Sequence, residues 1–202
     1  MKKRIILASS SPRRKGLLQQ IGMQFEVKPS NYEEDMTIKL PPHKLCKLLA
    51  YGKALDVAHR VKKGLVIGVD TFVTLGNKKL GKPKNMNDAR KMLKMLSGKV
   101  QKIYSGIAII DAETGKELVD YEVTKVYFRK ISDKEIDAYI KTGESEGKAG
   151  SYAIQGLGVV FISKIEGCYT NVIGLPLYKL TQMLKKFGID IFKYEKWKDY
   201  LE

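Results

Sequence analysis

The segment from Ser9 to Arg14 carries the strongest anion-binding signal in the sequence. An apolar run ends there and Ser11-Pro12 begins a helix, so unpaired amides and the positive helix end meet hydroxyl and guanidinium groups. Arg13 and Arg14 suit phosphate oxygens, and in a first helical turn they oppose the helix dipole unless an anion offsets them. The segment therefore favours a phosphate site, the alternative being an ordinary serine cap with solvated arginines.

A second signal is the pair Asp70-Thr71, which follows the apolar run over residues 65–69. We expect this run to be a strand that ends in Asp70. Ligands of open α/β sheets bind beyond the carboxyl ends of the strands, so Asp70 is placed to act as a general base or a metal ligand. The alternative is a turn aspartate at a strand end.

Three further side chains could contribute to such a site. Lys82 lies between Gly81 and Pro83 in a loop, and Lys53 lies on a helix beside small residues. Gln155 lies in a glycine-rich stretch, and its amide donates and accepts in one plane, as the edge of a nucleobase does. The alternatives are solvated surface lysines and a loop glutamine.

The elements that position these residues alternate between apolar runs and helical periods, which predicts an α/β fold with a mixed, strongly twisted sheet flanked by helices. We expect one domain over residues 1–202. The predicted strands cover residues 4–8, 24–28, 65–69, 156–165 and 170–173, with a hairpin of 103–110 and 118–128. Three predicted helices begin at Pro12, Pro42 and Pro176. A fourth covers the apolar residues at helical spacing from Ala89 to Leu96 and ends before Gly98, and a fifth follows the capping box of Ser132 and Glu135.

Composition excludes several functional classes. The 202 residues hold 37 Lys+Arg against 22 Asp+Glu, a net charge of +15. No apolar run approaches the roughly 18 to 20 residues of a membrane span, and the first apolar run is too short for a signal peptide, so we expect a cytoplasmic protein. Cys46, Cys168, His43 and His59 are not spaced for a zinc site. The lysines are dispersed and no nucleic-acid-binding motif accompanies them, which argues against sequence-specific nucleic acid as a partner and favours a small phosphate-bearing molecule.

Taken in order, these motifs resemble the Maf family of nucleotide pyrophosphatases. The residues that carry the resemblance are Leu7-Ala8-Ser9, Ser11-Pro12-Arg13-Arg14, Lys53-Ala54, Gly68-Val69-Asp70-Thr71, Gly81-Lys82-Pro83, Ser97-Gly98, Lys148-Ala149-Gly150, Ile154-Gln155-Gly156 and Gly174-Leu175-Pro176. The resemblance implies hydrolysis of a nucleoside triphosphate to the monophosphate and pyrophosphate, with a divalent cation, Mg²⁺ or Mn²⁺. It also implies a fold similar to that of the inosine triphosphate pyrophosphatases, with two lobes and a central cleft, and a homodimer.

The same resemblance implies a role for each site residue. Asp70 is the proton acceptor that activates water. The phosphate pocket is implied at Ser9, Arg13, Arg14, Lys53 and Lys82. Substrate choice is tied to Arg13, Thr71 and Gln155, and metal binding to Asp70 with either Glu33 or Glu34, between which the sequence does not decide.

Within the family, Asp70-Thr71 and Ile154-Gln155 resemble the branch that acts on dTTP and UTP. A branch that acts on 7-methyl-GTP carries Asp-Gln and a later glutamate instead. Hydrolysis of 7-methyl-GTP or of inosine triphosphate is therefore an alternative. A second alternative is a nucleotide- or nucleic-acid-binding regulator, because family members are linked to arrest of septum formation and cell division.

Overall fold

The computed structural model describes residues 3–193. The chain forms two compact units. Among the described residues, the first contains residues 3–71, 105–122 and 174–193, and the second contains residues 72–104 and 123–173. Because each unit is built from separate stretches of chain, no single cut in the sequence separates them.

In the described part of the chain, seven strands form one mixed sheet in the order β2-β1-β3-β5-β6-β7, with β4 beside β3. The strands are β1 (Ile5–Leu7), β2 (Glu26–Val27), β3 (Leu65–Leu75), β4 (Lys78–Leu80), β5 (Val100–Asp111), β6 (Glu117–Phe128) and β7 (Ile162–Glu166). Strand β1 pairs in parallel with β2 and β3, whereas β4 pairs antiparallel with β3 and β7 antiparallel with β6. The helices are α1 (Pro12–Gln20), α2 (Pro42–Ala58), α3 (Met86–Leu96), α4 (Asp133–Lys141), α5 (Tyr169–Ile173) and α6 (Leu177–Lys185). The expected mixed α/β class is confirmed.

Helix α2 lies unusually close to the sheet in the first unit. A Cβ atom added at Gly68 of β3 would overlap the carbonyl oxygen of Ala50, and one added at Gly106 of β5 would overlap that of Cys46. Ala50 and Ala54 are fully buried in the cluster that joins this helix to the strands. Small residues on both surfaces therefore let the backbones approach, and the same contact brings Lys53, which lies between Ala50 and Ala54 in the helix, to the sheet.

In the second unit, helices α3 and α4 pack together. The capping box at the start of α4 is formed as the sequence predicts, with the Glu135 amide donating to Ser132 Oγ and the Ser132 amide donating to the Glu135 carboxylate. Arg90 of α3 binds Asp137 of α4 through Nε at 2.6 Å. None of the helices within residues 3–193 has the length and apolarity needed to cross a membrane.

Most predicted elements are confirmed with shifted ends. The helices that begin near Pro12, Pro42 and Pro176 are present, as are the strand before Ser9 and the hairpin, whose turn is closed by the Asp111 amide donating to the Lys116 carbonyl at 2.9 Å. Strand β4 was not anticipated.

Three predicted strands are wrong in extent or type. Strand β3 does not end at Asp70 but continues to Leu75, because its second half pairs with β4 from Val73 onward. Residues 157–161 form a 3₁₀ helix ahead of β7. Residues 170–173 belong to helix α5 despite their β-branched side chains, since the buried Asn171 amide donates there to the Ile103 carbonyl and to Thr124 Oγ1.

Candidate functional site

Asp70 is a buried carboxylate in the middle of β3. The parallel partner of this strand, β1, ends at Leu7, so Asp70 lies past the carboxyl end of β1 while remaining inside its own strand. Lys53 Nζ of α2 donates to Asp70 Oδ1 at 2.6 Å. The two side chains are only 11% and 5% exposed, which makes this pair a desolvated ion pair rather than a surface contact.

Glu34 joins this pair from the loop before α2. Its Oε1 lies 2.7 Å from Lys53 Nζ, and its side chain is 45% exposed. Burial raises the pKa of Glu34, but the hydrogen bond and charge of Lys53, together with the charge of Arg14, outweigh burial and hold that pKa below its ordinary value. Glu33 and Glu34 are both exposed, so the contact with Lys53 is what distinguishes Glu34. The structure therefore brings Glu34 to Asp70, a choice that the sequence left open.

Arg14 is the centre of a second group in the first unit. Its Nε donates to the Gly174 carbonyl at 2.9 Å, its Nη1 to Ser9 Oγ at 3.0 Å and its Nη2 to Thr71 Oγ1 at 3.3 Å. Thr71 Oγ1 also lies 2.7 Å from Ser105 Oγ and 3.2 Å from the Gly174 carbonyl. The guanidinium is therefore locked in one orientation from three sides.

The charge of Arg14 is close to the carboxylates of the first group. Burial lowers the pKa of Arg14, and the nearby Asp70 and Glu34 charges oppose that shift. A guanidinium has five N–H groups, and Arg14 forms three hydrogen bonds with residues that the structure describes. The remaining donors leave Arg14 able to bind an anion in the orientation that its neighbours impose.

The start of helix α1 fits the anion site predicted from sequence. Ser11 precedes the helix without capping it through its side chain, so the first-turn amides keep their capacity to donate. Arg13 is exposed in that first turn and Arg14 follows it. Two guanidinium groups and free amides therefore meet at one helix start.

Lys82 and Gln155 belong to the second unit. Both are exposed. The Gly150 amide donates to the Gly81 carbonyl at 3.1 Å, so the loop of Lys82 is tied to the glycine-rich stretch that leads to Gln155. Gln155 follows Ile154, which is buried and anchors the loop on that side.

Sequence reasoning missed two residues of the group around Arg14: Gly174, which accepts from Arg14, and Ser105, which lies within hydrogen-bond distance of Thr71. Ser105 lies within β5 and is fully buried, with no local motif around it. Gly174 is part of a recognised motif, but its role as a double acceptor depends on its backbone, whose φ of +125° is rarely adopted by other residues. The role of Ser105 leaves no signal in residue type or spacing, whereas Gly174 is marked by its motif although its acceptor role is not.

Asp70 and Glu34 are the candidate ligands for the divalent cation that the motifs imply. Within residues 3–193, no group of three or more His, Cys, Asp or Glu side chains is arranged to hold a metal ion. Asp70 and Glu34 nevertheless share the Lys53 ammonium and supply two hard oxygen donors. Magnesium is commonly held by one or two carboxylates together with waters and substrate phosphates, so this donor set fits a cation bound jointly with a triphosphate.

Comparison with known proteins gives a consistent result. A family model described as Maf-like protein matches residues 4–187. A dTTP/UTP pyrophosphatase of Ruminiclostridium cellulolyticum is 50% identical over 190 residues, 94% of this chain and 98% of that protein. One from Methanosarcina barkeri, also named dTTP/UTP pyrophosphatase, is 46% identical over 192 residues, 95% of this chain and 98% of that protein.

Among solved structures, the Staphylococcus aureus Ham1 protein gives a TM-score of 0.45 at 15% identity, covering 62% of this chain and 72% of that one. Because this similarity is only partial, it supports no conclusion about this chain. The family assignment is carried by the sequence comparisons, which span nearly all of the chain and include every residue of the two groups around Asp70 and Arg14. The chain belongs to the Maf family.

Proposed function

We propose that this protein hydrolyses dTTP and UTP to the nucleoside monophosphate and pyrophosphate. The names of its close relatives support this reaction. The observation that carries it in the structure is the buried Asp70 carboxylate, held by Lys53 and facing the charge of Arg14. A protein that only binds nucleotides has no need of a desolvated carboxylate next to its anion site.

Asp70 is the proposed general base. A water oxygen forms a bond to the α-phosphorus, the bond from that phosphorus to the bridging oxygen breaks, and pyrophosphate leaves. The proton of the attacking water passes to an Asp70 carboxylate oxygen. The hydrogen bond from Lys53 to Oδ1 fixes the orientation of the carboxylate before the reaction begins, and such positioning is what general-base catalysis requires.

Arg14 is the proposed clamp for the triphosphate, with Arg13 and the first-turn amides of α1. Its three internal hydrogen bonds fix the guanidinium plane, so little side-chain entropy is lost when phosphate oxygens bind. Fixed cations aimed at phosphoryl oxygens stabilise the charge that develops in the transition state. Lys82 adds a further cation in this proposal, as the family motif implies.

A divalent cation, Mg²⁺ or Mn²⁺, is part of the proposal. Asp70 and Glu34 would hold it. When bound, such a cation neutralises phosphate charge and lowers the pKa of a coordinated water. This matters because a carboxylate is by itself a weak base at neutral pH.

Base selection is proposed to depend on Gln155, Thr71 and Arg13. The amide of Gln155 can both donate to and accept from a pyrimidine edge. Thr71 acts differently, because its hydroxyl already lies within hydrogen-bond distance of Ser105 and Gly174 and accepts from Arg14. We therefore assign Thr71 an indirect role, through the orientation of Arg14.

We also propose a cytoplasmic location, where nucleoside triphosphates are found. The two thiols, Cys46 and Cys168, are free, as is usual in a reducing compartment. The expected homodimer stays a prediction.

A substrate panel tests the proposed function. Pyrophosphate release is measured from dTTP, UTP, CTP, 7-methyl-GTP, ITP and ATP with Mg²⁺ or Mn²⁺, for the wild type, Asp70→Asn and the control Asp120→Asn. Asp120 makes a partly exposed ion pair with Lys179 and serves as the matched charge change. We expect dTTP and UTP turnover that falls by about 10²–10⁴-fold only in Asp70→Asn. Activity confined to purine triphosphates would overturn the pyrimidine assignment, and binding without turnover would favour the regulator.

A further inference from the structure

The loop that carries Gln155 is held by a single carboxylate of the second unit, that of Glu144. The Leu157 amide donates to Glu144 Oε2 at 2.8 Å, and the Gly158 amide donates to Oε1 at 2.9 Å. These amides are the first two of the 3₁₀ helix over residues 157–161. Glu144 thus binds the backbone two and three residues after Gln155.

The other side of the same loop is tied to the same carboxylate through Tyr139. The Tyr139 hydroxyl donates to Glu144 Oε1 at 2.9 Å and accepts from the Ala153 amide at 3.2 Å. The ring of Tyr139 is itself buried against Phe161, with centroids 5.0 Å apart. Residues on both sides of Gln155 are therefore fixed to one Tyr139–Glu144 pair.

Gly156 completes this arrangement. A Cβ atom at Gly156 would overlap the Glu144 carboxylate. The φ of Gly156 is −141°, which other residues also adopt, so the backbone conformation is not what requires glycine here. Its missing side chain is what allows the carboxylate to reach the two amides.

The contacts favour the charged form of Glu144. Burial raises the pKa of this carboxyl, but the amides of Gly158 and Leu157 and the Tyr139 hydroxyl outweigh burial and hold the pKa below its ordinary value. A carboxylate accepts at both oxygens, whereas a glutamine side chain must place an NH₂ group against one of the backbone donors. Glu144→Gln therefore breaks part of the clamp with almost no change in shape.

We propose that Glu144 is a positioning residue for base selection, which it exerts by fixing the loop of Gln155. This role rests on the proposed function, because it takes Gln155 as the side chain that reads the base. In this role Glu144 touches neither the phosphates nor the attacking water. Its loss changes the selectivity among bases more than it changes the chemical step.

The first test compares Glu144→Gln with Glu146→Gln, an exposed glutamate on the same turn. Amide hydrogen exchange reports the clamp, and the ratio of kcat/KM for dTTP over ATP reports base selection. In Glu144→Gln we expect faster exchange at Leu157 and Gly158 and a selectivity lower by about tenfold, the size that the loss of one charged hydrogen bond allows. In Glu146→Gln we expect neither change.

Two double variants separate positioning from a general loss of structure. In a Gln155→Ala background, Glu144→Gln should change selectivity no further. Gly156→Ala displaces the carboxylate by a different route, so it should reproduce the effect of Glu144→Gln, and the two together should be no worse than either alone.

The outcomes distinguish this role from the proposed function. Unchanged exchange at Leu157 and Gly158 in Glu144→Gln would overturn the clamp. Faster exchange with an unchanged dTTP preference would overturn the positioning role alone. A wild-type protein without any pyrimidine preference would overturn the proposed function, and the base-selecting role of Glu144 with it.

Discussion

Removing the Lys53 side-chain charge should leave Asp70 as an unpaired buried carboxylate. Lys53→Met keeps most of the side-chain volume within α2 but deletes the 2.6 Å contact to Asp70 Oδ1. Removing one partner of a buried pair costs about 3–5 kcal/mol of unfolding free energy. Glu34 loses the same partner, but its side chain is 45% exposed, so its share is about 1 kcal/mol or less.

The assay is urea unfolding at pH 7 with EDTA, for Lys53→Met, Asp70→Asn and the double variant. The double variant should recover most of the loss, because it buries no uncompensated charge, and the resulting coupling energy should exceed about 2 kcal/mol. Lys179→Met is the control, since its partly exposed pair with Asp120 should contribute about 1 kcal/mol or less.

Two results would refute this reasoning. Equal losses of unfolding free energy in Lys53→Met and Lys179→Met would show that burial does not set the cost of removing the ammonium group, and simple additivity in the double variant would show that Lys53 and Asp70 do not interact.

A further readout concerns the cation. Because Lys53→Met leaves two neighbouring carboxylates without their ammonium group, Mg²⁺ should raise its Tm more than that of the wild type.

Three other predictions follow from the geometry. Gly106→Ala should cost about 3 kcal/mol in urea unfolding, since its Cβ would overlap the backbone of α2; Gly16→Ala, with open space around the new Cβ and helical backbone, should instead stabilise slightly. Glu34→Gln should weaken Mg²⁺-dependent activity in a steady-state assay by at least about tenfold, whereas Glu33→Gln should keep the wild-type activity. Equal losses of activity in the two variants would remove Glu34 from the site. Because the pKa of Glu144 is lowered in the folded protein, its contribution to loop stability is present above the ordinary pKa of 4.5 and is lost as the pH falls through the lower folded value. Protection of the loop amides from hydrogen exchange, corrected for intrinsic rates, should therefore fall in that pH window. In Glu144→Gln this fall should be absent.

The local elements around the site follow from local sequence. The proline at the start of α2 and the Ser132–Glu135 capping box mark helix starts through interactions within four residues, so sequence reasoning finds them. The end of β3 is different. Asp70 resembles a strand terminator, yet the strand continues because Val73 and its neighbours pair with β4, a strand of three residues that has no clear pattern of its own.

The partners of the site residues depend on tertiary structure. Lys53 meets Asp70 because Gly68 and Ala50 let α2 approach the sheet, which no spacing along the chain reveals. The hydrogen bond from Arg14 to Gly174 spans 160 positions and uses a backbone oxygen, so residue type carries no trace of it. Helix α5 differs from the predicted strand for a related reason. Its β-branched residues favour a strand, and the buried contacts of Asn171 override that preference.

The position of bond cleavage is the most direct test of the central claim. Hydrolysis of dTTP in water enriched in ¹⁸O, followed by mass spectrometry of both products, shows which phosphorus the water attacks. We expect one ¹⁸O atom in dTMP and none in pyrophosphate, with the reaction strongly reduced in Asp70→Asn. Label in pyrophosphate, or release of dTDP and inorganic phosphate, would contradict this expectation.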